Sequence, residues 1–106
     1  MGFFDLFRQK DINQGLLDFK AVEGAVLLDV RTAEEYRQGH IPDSINISLQ
    51  TIDKVLLDFS NKETPLFVYC YSGSRSSQAV NLLKGMGYTN VTNIGGISSY
   101  SGKVER

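Results

Sequence analysis

The sequence predicts an α/β fold, with a mostly parallel sheet of four to five strands and helices on both faces. Three observations predict it. Short apolar runs alternate along the chain with amphipathic stretches, the order that builds strand–helix–strand units. The runs are almost continuously apolar, as strands buried on both faces are. The stretches between them repeat apolar residues at helical spacing. With 106 residues, 42% hydrophobic and 22% charged, the chain is one domain long and can bury a core without disulfides or a structural metal.

Residues 1–10 read as a short N-terminal leader packing on the domain, and 11–106 as the domain itself. Phe3, Phe4, Leu6 and Phe7 are too few, and too broken by Asp5, for a secretory signal. Packing on the sheet is favoured over a membrane-surface role because soluble proteins limit exposed apolar patches. Met1-Gly2 opens like a myristoylation site, but Leu6 stands where that motif wants Ser or Thr.

Asp11 is placed to cap a helix that turns Leu16, Leu17 and Phe19 inward. Residues 25–30 read as a buried strand. Thr32-Ala33-Glu34-Glu35 has the form of a capping box and starts a second helix. Residues 44–47 form a weaker strand. Ile52, Val55, Leu56 and Phe59 fall on one face of a third helix. The strand over 66–70 follows the breaker Pro65. A polar loop leads to a helix at Ser76 that turns Ala79, Leu82, Leu83 and Met86 inward and stops at Gly87. Residues 90–94 read as the last strand.

The chemistry is expected where the strand over 66–70 ends. Ligands of open α/β sheets bind beyond the carboxyl ends of the strands, and Cys70 stands at such an end. Gly73 permits a tight path for the loop. The loop amides and the following helix N-terminus favour an anion, and Arg75 adds a planar donor fork suited to oxyanions. A thiolate, a persulfide or a bound sulfur oxyanion would be stabilised there. A lone Cys at a strand end is more often a small core residue. Strand, then Cys-x-x-Gly-x-Arg, then helix tips the balance toward function.

Composition narrows the rest. A formal net charge of -1 offers no basic field for nucleic acid or anionic membrane. One cysteine and one histidine make neither an internal disulfide nor a typical structural zinc site. No run is long enough to span a membrane. A cytoplasmic protein with a reduced thiol, no metal and no cofactor is expected.

The stretch Cys70-Tyr71-Ser72-Gly73-Ser74-Arg75-Ser76 is similar to the active-site loop of rhodanese-like sulfurtransferases. Upstream, the run from Asp29-Val30-Arg31 through Glu35-Tyr36 to Gly39-His40-Ile41-Pro42 resembles that family's first signature, and Ile45-Asn46-Ile47 continues it. Gly95-Gly96-Ile97-Ser98-Ser99-Tyr100 resembles its closing glycine pair and aromatic. The resemblance implies a three-layer rhodanese-like fold and a sulfurtransferase or sulfur carrier. Cys70 would hold a sulfane sulfur as a persulfide, and Tyr71, Ser72, Gly73, Ser74, Arg75 and Ser76 would bind substrate. The implied partners are a small sulfur donor, a thiol acceptor and a sulfur-relay protein.

The same resemblance assigns Asp29, Arg31, Glu35 and His40 to structural support. Asp29 and Arg31 would form an ion pair behind the loop, and Arg31 and Glu35 are spaced to pair if the helix begins early. His40 has the ordinary pKa of a general base, but a preformed thiolate needs none. Tyr36, Tyr69 and Tyr88 are expected to pack. The chain departs from the family in having Asp43-Ser44 for the usual Gly-Ala, and Tyr100 for the usual Trp. Arg75 is the loop's only charge, which argues against thiosulfate as donor. A cysteine phosphatase or arsenate reductase is the alternative, but its signature places five residues between Cys and Arg, against four here. A docking module without activity is the other, and the intact cysteine loop argues against it.

Overall fold

The computed structural model describes residues 11–106; the leader over 1–10 lies outside them. Strands β1 (Val26–Asp29), β2 (Ser44–Asn46), β3 (Leu66–Cys70) and β4 (Val91–Gly96) form one parallel sheet in the order β2-β1-β3-β4. From β1 the chain steps outward to β2, then returns past β1 to β3. The direction of winding therefore reverses between β1 and β3. Loops leaving their carboxyl ends diverge there and leave a crevice.

Side-chain alternation along the strands makes two cores. Leu28, Leu66, Val68 and Cys70 face one side, with Ile52, Val55, Ala79, Leu83 and Tyr88 packed on them. Leu27, Phe67 and Tyr69 face the other side, covered by Ile12 and Leu16. Each fully buried Leu or Val stabilises the fold by about 1.5–3 kcal/mol relative to exposure. No described helix is long and apolar enough to cross a membrane.

Helix α1 (Ile12–Ala21) is capped by the Asp11 carboxylate, which accepts the Asn13 N–H at 3.0 Å. Its buried residues are Ile12, Gly15 and Leu16, whereas Leu17 is 62% exposed and not inward as expected. Leu17 lies a further 100° round the helix from Leu16. Gly15 lets α1 approach β4: a Cβ there would stand 2.5 Å from Ile94. Helix α2 (Ala33–Gln38) starts with the expected capping box between Thr32 and Glu35.

The third helix is much shorter than its pattern. A 3-10 segment, Leu49–Lys54, precedes a single α turn, α3 (Val55–Asp58), and the path leaves helical geometry at Thr51, inside the 3-10 segment. Ser48 and Thr51 hydrogen-bond locally and compete with helix geometry. Ile52 and Val55 are buried, but Leu56 is exposed.

Helix α4 (Ser74–Gly85) begins two residues before the expected Ser76. Its inward face is Ser76, Ala79, Val80 and Leu83, and Leu82 points outward. Starting the helix at Ser74 turns Ser76 toward β3. The end is a Schellman motif: Tyr88 N–H donates to Leu83 C=O and Gly87 N–H to Lys84 C=O, with Gly87 at φ 104°.

Candidate active site

Cys70 closes β3 and is buried, on the face covered by α4. Gly73 takes φ 102°, a conformation costly for a residue with a Cβ. That turn aims its N–H at the Cys70 Sγ, 3.0 Å away. The Ser76 hydroxyl, in the first turn of α4, lies 3.5 Å from the same sulfur. Burial pushes the thiol up and is the largest single influence. Hydrogen bonds from the Ser76 hydroxyl and from the amides of Ser76, Gly73 and Ser72 outweigh it, and the pKa is lowered.

The loop rests directly on β4. Tyr71 C=O accepts the Ser98 N–H at 3.0 Å. A Cβ on Gly96 would stand 2.1 Å from Tyr71 O and 2.5 Å from Ser72 Cα, so only glycine fits. Tyr71 itself is 55% exposed at the rim. Ser74 and Arg75 sit in the first turn of α4.

Arg75 does not offer an open fork. Its Nη1 and Nη2 donate to the two carboxylate oxygens of Glu35 at 2.7 and 3.0 Å. The Arg75 guanidinium holds the Glu35 carboxyl at about 2, against burial and helped by Thr32. Glu35 therefore pairs with Arg75 and not with Arg31, as its spacing alone suggested.

Arg31 turns to Asp29 instead. Its Nη2 lies 2.7 Å from Oδ2, its Nε 3.0 Å from Oδ1, and Nη2 also donates to Gly39 C=O at 2.8 Å. Both residues are buried. The pair fixes the chain just beyond β1. Asn46 braces the same turn, donating from Nδ2 to the carbonyls of Asp29 and Arg31.

His40 lies beside α2, stacked on Tyr36 with centroids 3.7 Å apart. Its Nδ1 is 2.9 Å from Tyr36 C=O, which can only accept, so Nδ1 carries the proton. Its backbone bridges to Glu105. Asp43 has φ 73°, which accounts for glycine being usual there, and Asp is among the residues that tolerate it. Ser44 accepts a hydrogen bond from the Tyr69 hydroxyl at 3.1 Å.

The sequence reading missed Asn93. The register of β3 and β4 shifts after the Val68–Asn93 pair, so that Tyr69 pairs with Gly95. Asn93 donates to Gly73 C=O and accepts from Ser76 and Gly95. An amide two residues before a glycine pair was the available signal.

The sequence model of the family described as Rhodanese-like domain matches residues 10–103. Thiosulfate sulfurtransferase PspE of Escherichia coli is 39% identical over 71 residues, covering 66% of this chain and 68% of PspE. The putative sulfur carrier protein YrkF of Bacillus subtilis is 34% identical over 84 residues, 78% of this chain but 45% of YrkF. The solved structure described as rhodanese with anions from E. coli superposes with a TM-score of 0.72 at 34% identity, covering 77% of this chain and 98% of that one.

Proposed function

Because the chain belongs to the rhodanese-like domain family, we propose that it is a sulfurtransferase or sulfur carrier working through a persulfide on Cys70. One observation carries the reading: the Gly73 amide and the Ser76 hydroxyl converge on a single buried sulfur whose anion they favour.

The Cys70 thiolate attacks the outer sulfur of a donor R–S–S⁻. The new Sγ–S bond forms as the donor S–S bond breaks, and R–S⁻ leaves with that electron pair. An acceptor thiolate then attacks the outer sulfur of the Cys70 persulfide, and the Cys70 thiolate is released. This is a double displacement, with ping-pong kinetics. The Gly73 amide and the Ser76 hydroxyl favour the thiolate that attacks and that is released again.

The donor favoured is a persulfide and not thiosulfate. Tyr71, Ser72 and Ser74 are neutral, and Arg75 is engaged by Glu35. A sulfur-relay protein is the acceptor or donor partner that fits such a carrier, in a reducing cytoplasm. Phosphoryl transfer is disfavoured by the four-residue spacing from Cys70 to Arg75 and by the occupied guanidinium.

The test is intact mass after incubation with thiosulfate, glutathione persulfide, or a cysteine desulfurase charged with cysteine. At least one donor adds one sulfur, about 32 Da, which dithiothreitol removes and Cys70→Ser abolishes. No adduct from any of the three, or equal adduct on Cys70→Ser, overturns the proposal.

A further inference from the structure

Ser76 is fully buried and has one hydroxyl hydrogen with three neighbours in reach: Asn93 Oδ1 at 2.8 Å, Gly73 O at 3.0 Å and Cys70 Sγ at 3.5 Å. Both oxygens only accept, so they compete with the sulfur for that hydrogen. The orientation of the Asn93 amide is settled by its surroundings. Gly95 N–H, 2.9 Å away, must meet an oxygen, and Gly73 C=O, 3.2 Å away, must meet an N–H.

When Cys70 carries its proton, S–H donates to Ser76 Oγ and the Ser76 hydroxyl donates to Asn93, its shortest contact. Once Cys70 is ionised, the sulfur becomes an acceptor and the hydroxyl rotates to it. Asn93 Oδ1 then loses one donor but keeps the Gly95 N–H. No buried group is left unpaired in either state. A neutral amide suits this task because it accepts less strongly than a thiolate.

We propose that Asn93 is a positioning residue for the Cys70 nucleophile, holding the Ser76 hydroxyl in reserve and releasing it to the sulfur upon ionisation. Asn93 makes its hydrogen bonds to Ser76, Gly73 and Gly95 and none to the sulfur. It acts through Ser76 and through the Gly73 carbonyl that shapes the loop. The proposal rests on Cys70 being the nucleophile, but its test uses no sulfur donor, so it stands or falls separately from sulfur transfer.

Among the described residues, charged groups near the sulfur are few. Arg75 projects from α4, Glu35 from α2 pairs with it, and Asp29 pairs with Arg31 at the end of β1. Asp53 and Lys54, on the 3-10 segment across the core, are exposed. The position of Asn93 on β4 is the neutral side of the site.

The experiment is the pH dependence of Cys70 alkylation by iodoacetamide. Asn93→Asp places a carboxylate on the Ser76 hydroxyl and removes the N–H from Gly73. The midpoint rises by about one pH unit, so the rate below the midpoint falls roughly tenfold. In a Ser76→Ala background the same change moves the midpoint by less than about half as much, because only through-space charge remains. An unchanged midpoint, or an equal shift in both backgrounds, overturns the proposal. A second measurement needs no Asn93 variant. The Asn93 side-chain carbonyl ¹³C shift of the wild type titrates with the Cys70 midpoint, and the step vanishes in Cys70→Ser and in Ser76→Ala. A flat wild-type profile, or a step that persists in Ser76→Ala, also overturns it.

Discussion

Arg75 and Glu35, 40 residues apart, are joined by two parallel hydrogen bonds of 2.7 and 3.0 Å. Glu35 is at the same time the return arm of the Thr32 capping box. The first turn of α2 is thereby tied to the first turn of α4, across the crevice between β1 and β3. The charge of Arg75 is thereby matched by a carboxylate of the neighbouring helix.

Releasing Arg75 should widen the donor range. In Glu35→Gln the guanidinium is free to meet an oxyanion, and kcat/KM for thiosulfate rises about fivefold, equivalent to ~1 kcal/mol of transition-state binding. Turnover of glutathione persulfide changes by less than about twofold, since uniform loop contacts are untouched. Steady-state kinetics with cyanide as acceptor compare the two donors. Thiosulfate turnover that falls in Glu35→Gln would show that the ion pair itself serves substrate.

The same pair sets an acid limit. Glu35 is held at about 2 against an ordinary 4.5. Its folded pKa is depressed, so its stabilisation is complete above about 4.5 and is lost as pH falls through about 2. The side chains are about a third exposed, and the contribution stays below about 1 kcal/mol. Urea unfolding of wild type and Glu35→Gln, followed from about pH 7 down to about pH 2, gives a stability gap that closes toward the acid end. A gap that widens on acidification contradicts the assignment.

Cys70 should ionise below an ordinary thiol, with its amides and Ser76 responsible more than Arg75. Iodoacetamide alkylation has a midpoint below the ~8.5 of a free thiol. Ser76→Ala raises that midpoint more than Arg75→Ala does. The lowered folded pKa stabilises the protein above the unfolded value, and that stabilisation is lost as pH falls through the folded one. A larger effect of Arg75→Ala would assign the control to charge.

Asp29 and Arg31 are buried together, so removing one strands the other. Asp29→Ala costs about 3–5 kcal/mol in denaturant unfolding. The double change Asp29→Leu with Arg31→Met costs less, because no uncompensated charge remains. A smaller loss in the single variant than in the double would mean that Arg31 finds another partner.

The parts of the fold legible in the sequence were those set by local rules. The strand Leu66–Cys70, the Asp11 cap and the Thr32–Glu35 box appear where residue type and spacing place them. Inward faces were read less well, because Leu17 and Leu82 match a helical period yet fall beyond the covered stripe. Ser76 was displaced because a polar residue reads as a loop, whereas here it is the inward residue of the first turn. The partners of Arg75 and Asn93 were invisible for another reason. They come from different elements, and only the sheet order brings them together. In the candidate site, sequence pattern pointed to the residues near the sulfur but not to which of their hydrogen-bonding groups remain available.

Gly96 carries one more consequence, for the order in which a newly made chain matures. The loop beside Cys70 lies on a strand synthesised after it, pressed on a backbone with no Cβ and anchored by Ser98 N–H. A nascent chain that has exposed Cys70 but not yet docked β4 lacks that platform, and with it the Asn93 brace on Gly73 and Ser76. Its cysteine behaves as an ordinary thiol. The lowered thiol pKa arrives with the last strand, so the pH midpoint of alkylation shifts downward when β4 docks. That midpoint thus doubles as a maturity marker for the whole domain.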